Sequence, residues 1–229
     1  MKKTGTLFGK RTRDMFAFKR ILKMKSDNVK SFFNMRGCGL EIEFGVIYQT
    51  VSSRYIKTGL EKIKSIVGAN GKFVTDITVN HDFNVEIVLN PLSKQDLKPI
   101  FDNITEVLYY YENFVHDENC GVHANFLGDY ELKKEFYECL VSGGYDSSRF
   151  DHNKYKVDLL EIAARTPDSS LMSYDQYLHY QKNISGKYTA VNFLKDNLIE
   201  FRALDLNWSD IEYVIDLYES VASPALITA

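Results

Sequence analysis

The sequence predicts an α+β domain built on a mainly antiparallel sheet. Candidate strands alternate apolar and polar residues with a period of two, as in "GLEIEFG" (39–45). Two pairs of such strands flank short polar stretches, "NHD" and "LKDN", and so read as hairpins. Strands and helices do not alternate strictly, so the rhythm of a parallel βαβ sheet is missing.

In chain order, residues 38–48 read as a buried strand. "SRYIKTGLEKIKSIVGA" sets Leu60, Ile63, Ile66 and Val67 at helical spacing, and Gly68 ends that helix. "KFVTDITV" (72–79) and "FNVEIVL" (83–89) form the first expected hairpin around NHD. Ser93 in "NPLS" is an expected N-cap, since its hydroxyl can accept from a first-turn N–H that lacks a helical partner. Leu97, Ile100, Phe101, Ile104, Val107, Leu108 and Tyr111 then make the apolar stripe of an amphipathic helix. "CGVHANFL" (120–127) reads as a strand, 131–141 as a helix, and "SGGYDSSRFDHN" as a loop with Gly143 and Gly144 as breakers. Helices are expected near 155–165 and 170–182. "KYTAVNF" and "LIEFRAL" are strands parted by LKDN. From Trp208 a last helix carries Ile211, Val214, Ile215, Tyr218 and Val221 on one face.

A chain of 229 residues suffices for one substantial core. No internal repeat or low-complexity tract divides it. The expected organisation is a basic N-terminal arm, residues 1–36, followed by one body, 37–229. The arm holds eleven Lys or Arg against two acids, a net +9; the remaining 17 bases against 29 acids leave −12. An arm of that charge can bind nucleic acid, an acidic partner surface, or its own body, and the last two are the favoured expectation. No stretch is long and apolar enough to span a membrane, and "MFAF" is too short for a signal-peptide core, so no membrane partner and a cytoplasmic location are expected. Cys38, Cys120 and Cys139 form no CxxC pair and read as incidental thiols.

Alternation also sorts each strand into two faces. Leu40, Ile42 and Phe44 oppose Glu41 and Glu43; Val85, Ile87 and Leu89 oppose Glu86. Val122, Ala124 and Phe126 oppose His123 and Asn125; Ile199, Phe201 and Ala203 oppose Glu200 and Arg202. If these strands share one sheet, its polar face carries Glu41, Glu43, Glu86, His123, Asn125, Glu200 and Arg202. A lone Glu on an outer strand face is ordinarily just solvated, and a lone His is more often structural than a ligand. Collected on one face, the carboxylates would raise each other's pKa unless a cation intervened. Magnesium or manganese suits hard oxygen donors, and manganese accepts an imidazole. Arg202 suits a phosphoryl group, which a guanidinium grips with two donors.

These residues, in this order, resemble the amidoligase family of the glutamine synthetase and glutamate–cysteine ligase superfamily. The resemblance covers roughly residues 37 to 220. It rests on a G-x-E-x-E strand (Gly39, Glu41, Glu43), a D-G-S-like turn (Asp76, Ile77, Thr78) and an E-(I/V)-V-S-P-like strand from Glu86. It continues with a G-x-H-x-H-like strand (Gly121, His123, Asn125), "KYTAVN" (187–192) and Glu200-Phe201-Arg202. Asn125 stands where the family has a second His, and Lys187 where it has an Arg, keeping the charge and losing the fork. The resemblance implies a curved sheet with helices on its outer face and a glutamine-synthetase-like catalytic domain binding ATP and two or more Mg²⁺ or Mn²⁺ ions. By position, Glu43 and Glu86 would hold one ion, and Glu41, His123 and Glu200 another. Asn125, Lys187 and Arg202 would contact the nucleotide. The implied chemistry joins a small-molecule or peptide carboxylate to an amine through an acyl-phosphate, with Arg202 and Glu200 as catalytic residues. Two alternatives stand beside it. One is a catalytically reduced binding or structural protein on the same fold, for instance in a phage particle. The other is a metal-dependent nuclease or phosphatase using the same acids, against which the motif order argues.

Overall fold

A computed structural model describes residues 37–47, 53–74, 82–118, 120–144, 146, 172–186 and 189–225. Among these residues seven strands make one sheet: β1 (Gly39–Val46), β2 (Gly71–Val74), β3 (Phe83–Leu89), β4 (Phe114–Val115), β5 (Val122–Leu127), β6 (Val191–Asn192) and β7 (Leu198–Leu204). Five α-helices accompany them among the described residues: α1 (Ser53–Val67), α2 (Lys94–Tyr110), α3 (Tyr130–Cys139), α4 (Tyr174–Tyr180) and α5 (Trp208–Ala225). The sheet order is β2-β3-β1-β5-β7-β6, with β4 against the far end of β1. Every pairing is antiparallel. The α+β class and the antiparallel sheet are thus as the alternation predicts.

Both expected strand pairings are present among the described residues. In the first, β2 is described over Gly71–Val74 of the strand expected at 72–79, and Val74 pairs with Glu86. Residues 75–81 of the connection, including the Asp76-Ile77-Thr78 turn, lie outside the described residues, as do the arm 1–36, the helix expected near 155–165, and Lys187. Asn192 pairs with Glu200, and the midpoint there is Asp196, within LKDN. Asn197 closes this turn at a φ of 52°, a left-handed conformation that Asn tolerates better than most residues.

The central strands show why one face is core. Leu40, Ile42 and Phe44 are fully buried, as are Val85, Ile87 and Leu89. They join one apolar cluster with Ile56, Leu60 and Ile63 of α1, Leu97, Phe101 and Ile104 of α2, Phe136 of α3, and Ile211 and Val214 of α5. α1 packs on α2, α2 on α5, and α5 on α3, covering the apolar face. Ser93 caps α2 by accepting from Asp96 N at 3.2 Å.

Three elements differ from expectation. The strand predicted over 187–193 is only Val191–Asn192 among the described residues. Its backbone is satisfied by side chains instead of a longer ladder: Val191 O accepts from Gln181 Nε2 (2.6 Å) and Thr189 Oγ1 (2.9 Å), and Gln181 Oε1 accepts from Phe193 N (3.1 Å). The helix predicted over 170–182 starts at Tyr174, where Ser173 and Gln176 close a capping box, and widens into a turn over Gln181–Ser185. The strand predicted from Cys120 begins at Val122.

Candidate metal and anion site

Strand register assembles the polar face. Glu41 lies opposite His123 across β1 and β5, and Glu43 opposite Glu86 across β1 and β3. Asn125 of β5 and Asn192 of β6 flank Glu200 of β7. β5 and β7 lose register between Val122 and Ala124: β7 carries one extra residue in the stretch containing Arg202. Such a bulge bends the strand and re-aims side chains.

The carboxylates are held by named donors. Glu41 sits between His123 Nδ1, 3.1 Å from its Oε2, and Asn125 Nδ2, which donates to its Oε1 at 3.1 Å. Glu200 is fully buried. Its Oε2 accepts from Asn192 Nδ2 at 2.7 Å, and its Oε1 accepts from both Lys195 Nζ and Arg202 NH1 at 2.8 Å. Lys195 Nζ also lies 3.6 Å from Glu41 Oε1, so one ammonium serves two acids. Glu43 Oε2 accepts the backbone N–H of Gly121 at 2.8 Å. That approach needs a glycine, since a Cβ on residue 121 would stand 2.7 Å from His123 Nε2 and 3.2 Å from Glu43 Oε2.

The expectation that crowded carboxylates raise each other's pKa is corrected by these cations. Burial pushes Glu41 up, but the hydrogen bond from His123 and the charges of Lys195, His123 and Arg202 outweigh it and bring it down to about 2. Burial likewise opposes ionisation of Glu200, and Arg202, Lys195 and Asn192 overcome it, leaving its pKa below the usual value. The protein therefore supplies part of the positive charge that the sequence reading assigned wholly to a metal.

Glu41, His123 and Glu200 offer donor atoms that all lie within 4.8 Å of one another, the one such grouping among the described residues. Two carboxylates and an imidazole form a donor set able to hold a divalent ion, and among such ions manganese accepts an imidazole. Beside it, Arg202 Nε is buried and has no hydrogen-bond acceptor among the described residues, while NH1 of the same guanidinium is fixed on Glu200. Glu43 and Glu86 face each other one register step away and are not part of the three-residue group. Asn125, expected at the nucleotide, turns to Glu41 and stands 3.5 Å from Lys195 Nζ. His116 sets Nδ1 2.9 Å from the backbone oxygen of Glu43, and His179 is exposed on α4.

Two participants were given no role in the site by the sequence: Asn192, which ends the KYTAVN motif, and Lys195. Asn192 was legible: counting back from Glu200 through LKDN puts it opposite. Lys195 carried no such signal, because a lysine in a polar turn is ordinarily a solvated one. What aims it inward is Lys133 of α3, buried, with Nζ donating to Phe193 O (3.1 Å) and Lys195 O (2.6 Å). No family model matches the chain, and no curated protein is significantly similar to it.

Proposed function

We propose that the chain is an ATP- and divalent-metal-dependent carboxylate–amine ligase. One observation carries the reading: the buried Arg202 Nε–H has no acceptor among the described residues and adjoins a Glu41–His123–Glu200 group able to hold a divalent ion. A buried donor without a partner costs about 1–3 kcal/mol, and an anion arriving there recovers it. Phosphate oxygens are such an anion, and a resident ion supplies the charge neutralisation that lets phosphate approach carboxylates.

Glu41, His123 and Glu200 would hold that ion. Glu43 and Glu86, paired across β1 and β3, are proposed for a second. Arg202 would offer its Nε–H to the transferring phosphoryl group while its NH1 is held by Glu200. Lys195, its side chain about one-third exposed, holds Glu200 and Glu41 ionised from the open side of the cluster. The phosphorylated carboxylate is then attacked by an amine, releasing phosphate and forming an amide.

A second reading is favoured by the double donation of Lys195 and Arg202 to one oxygen of Glu200, which satisfies that carboxylate without any ion. On that reading the chain keeps the fold as a binding or structural protein. Purified protein is to be incubated with ATP, Mg²⁺ and pooled amino acids and amines, with ADP and a product lighter than its two substrates by one water followed by mass spectrometry. Calorimetry should show ATP affinity collapsing in EDTA. ATP affinity unchanged by EDTA, together with no adduct from any pool, moves the second reading ahead.

A further inference from the structure

On the opposite side of the sheet a groove of about 540 Å³ runs between α3, α5 and the start of β1. Its floor is apolar, with Leu92, Phe126, Leu132, Ile215 and Ala222 among its residues. Its charged residues are unequal: Asp129, Glu131, Glu135 and Glu219 against Lys94, and Lys94 is already paired with Asp216 at 2.5 Å. An apolar floor with an acidic rim selects an amphipathic, basic occupant.

The chain itself carries one, attached at the groove's edge. Gly37 and Cys38 line the groove, and the backbone there is pinned: Cys38 N donates to Leu92 O at 2.9 Å and Leu92 N to Cys38 O at 3.1 Å. Gly37 has a φ of +143°, and any Cβ on it would collide with Leu92 O, so the arm joins the body at a fixed point beside the groove. Within the arm, Met15, Phe18, Ile21 and Leu22 recur at spacings of three, three and one, an i, i+3, i+6, i+7 pattern that shares one helical face. Arg13, Lys19, Arg20, Lys23 and Lys25 surround them. Leu22 precedes Gly37 by fifteen residues, a tether reaching up to roughly 50 Å at about 3.3 Å per residue. A covalent tether of this kind gives an effective concentration of about a millimolar, so even a weak contact is populated.

We infer that residues 1–36 dock on their own body, with the Met15–Leu22 segment on the apolar floor and its basic residues against Glu131 and Glu135. This is independent of the ligase reading, since the groove lies on the face opposite Glu41, His123 and Glu200. The test uses the full chain in an equal mixture of ¹⁴N- and ¹⁵N-labelled protein, treated with a zero-length carbodiimide and read by mass spectrometry. Same-isotope links from Lys19, Lys23 or Lys25 to Glu131, Glu135 or Glu219 are expected, with their yield falling in high salt. Mixed-isotope links would assign the groove to a second copy; links to other faces, or none, would equally overturn the inference. Phe18→Ser with Leu22→Ser keeps every charge and is expected to cut the yield by at least about threefold; an unchanged yield would mean that the groove's apolar floor is not the seat. Glu131→Lys with Glu135→Lys alters two exposed positions on α3 and is expected to speed tryptic cleavage within residues 19–25 by about tenfold, the scale of reversing two surface attractions. Cleavage at the wild-type rate contradicts the proposal.

Discussion

Arg202 holds its guanidinium against Glu200 with one donor while its buried Nε has no acceptor among the described residues. Arg202→Lys keeps the charge and loses the fork. If the chain is the proposed ligase, the expected result is a fall in kcat of about 10², or about 2.7 kcal/mol, with a much smaller change in ATP affinity, because a preorganised donor aimed at developing charge would act mainly on the transition state. If Arg202 only balances Glu200, the same variant lowers the melting temperature and leaves turnover near wild type; measuring both on one sample separates the roles. Glu41 makes a second residue-level prediction. Its carboxyl, brought down to about 2 in the folded protein, lies well below the ordinary glutamate range, so ionised Glu41 contributes its full stabilisation above that ordinary range and loses it as pH falls toward 2. A ¹³C titration of the metal-free protein should find the Glu41 carboxylate still ionised at pH 3. Lys195→Met removes the cation shared with Glu200, so the acid limb of the stability curve should move to higher pH. An unmoved limb would show that Lys195 is not what holds these acids ionised.

At the scale of elements, the site depends on how β5 and the β6–β7 turn are held. Gly121 admits the contact between its N–H and Glu43 while leaving room for His123. Gly121→Ala should displace the imidazole and weaken Mn²⁺ binding by at least about tenfold, the scale seen when the surroundings of a metal ligand are disturbed. Circular dichroism should stay native, since Gly121 precedes β5. Binding of Mn²⁺ at wild-type affinity would remove His123 from the proposed ligand set. Lys133 works from α3: its ammonium is buried, and burial lowers its pKa despite the nearby acids Asp196 and Asp129. Lys133→Met keeps the stem and leaves the two carbonyls it bonds, Phe193 O and Lys195 O, without that donor. The expected loss is about 1–3 kcal/mol in urea unfolding, and on the proposed ligase reading lower turnover as well, because the turn carrying Lys195 is no longer tied down. Loss of stability with turnover intact would limit Lys133 to holding the fold.

At the scale of the molecule, sheet and helices share one apolar cluster running from Cys38 to Ile215. A body with a single core should unfold cooperatively. Trp208, the only tryptophan, packs against Phe101 at a ring distance of 5.6 Å and so reports the contact between α2 and α5. Its fluorescence and the far-ultraviolet dichroism should give coincident transitions in urea. Separate midpoints would show that α2 and α5 unfold independently of the sheet. No helix among the described residues is long and apolar enough to cross a membrane.

The sequence by itself determined the antiparallel sheet, the faces of its long strands and the strand-borne acids, imidazole and guanidinium on the polar side. It could do so because a period of two assigns each side chain to a face with no knowledge of its neighbours. Ser93 as a cap and "LIEFRAL" as a strand were legible for the same reason: a local pattern fixes them. Only the tertiary structure decided which groups meet. Register set Glu41 against His123 and Glu43 against Glu86, and the bulge in β7 lies at Arg202. The turn held by Lys133 brought Lys195 onto two acids that the sequence alone would have left repelling each other. Among the described residues the strand predicted over 187–193 shrank to two because Gln181, ten positions before Val191 and twelve before Phe193, bonds the Val191 carbonyl and the Phe193 N–H. Such contacts span elements, and their energies depend on distances that no window of neighbouring residues contains.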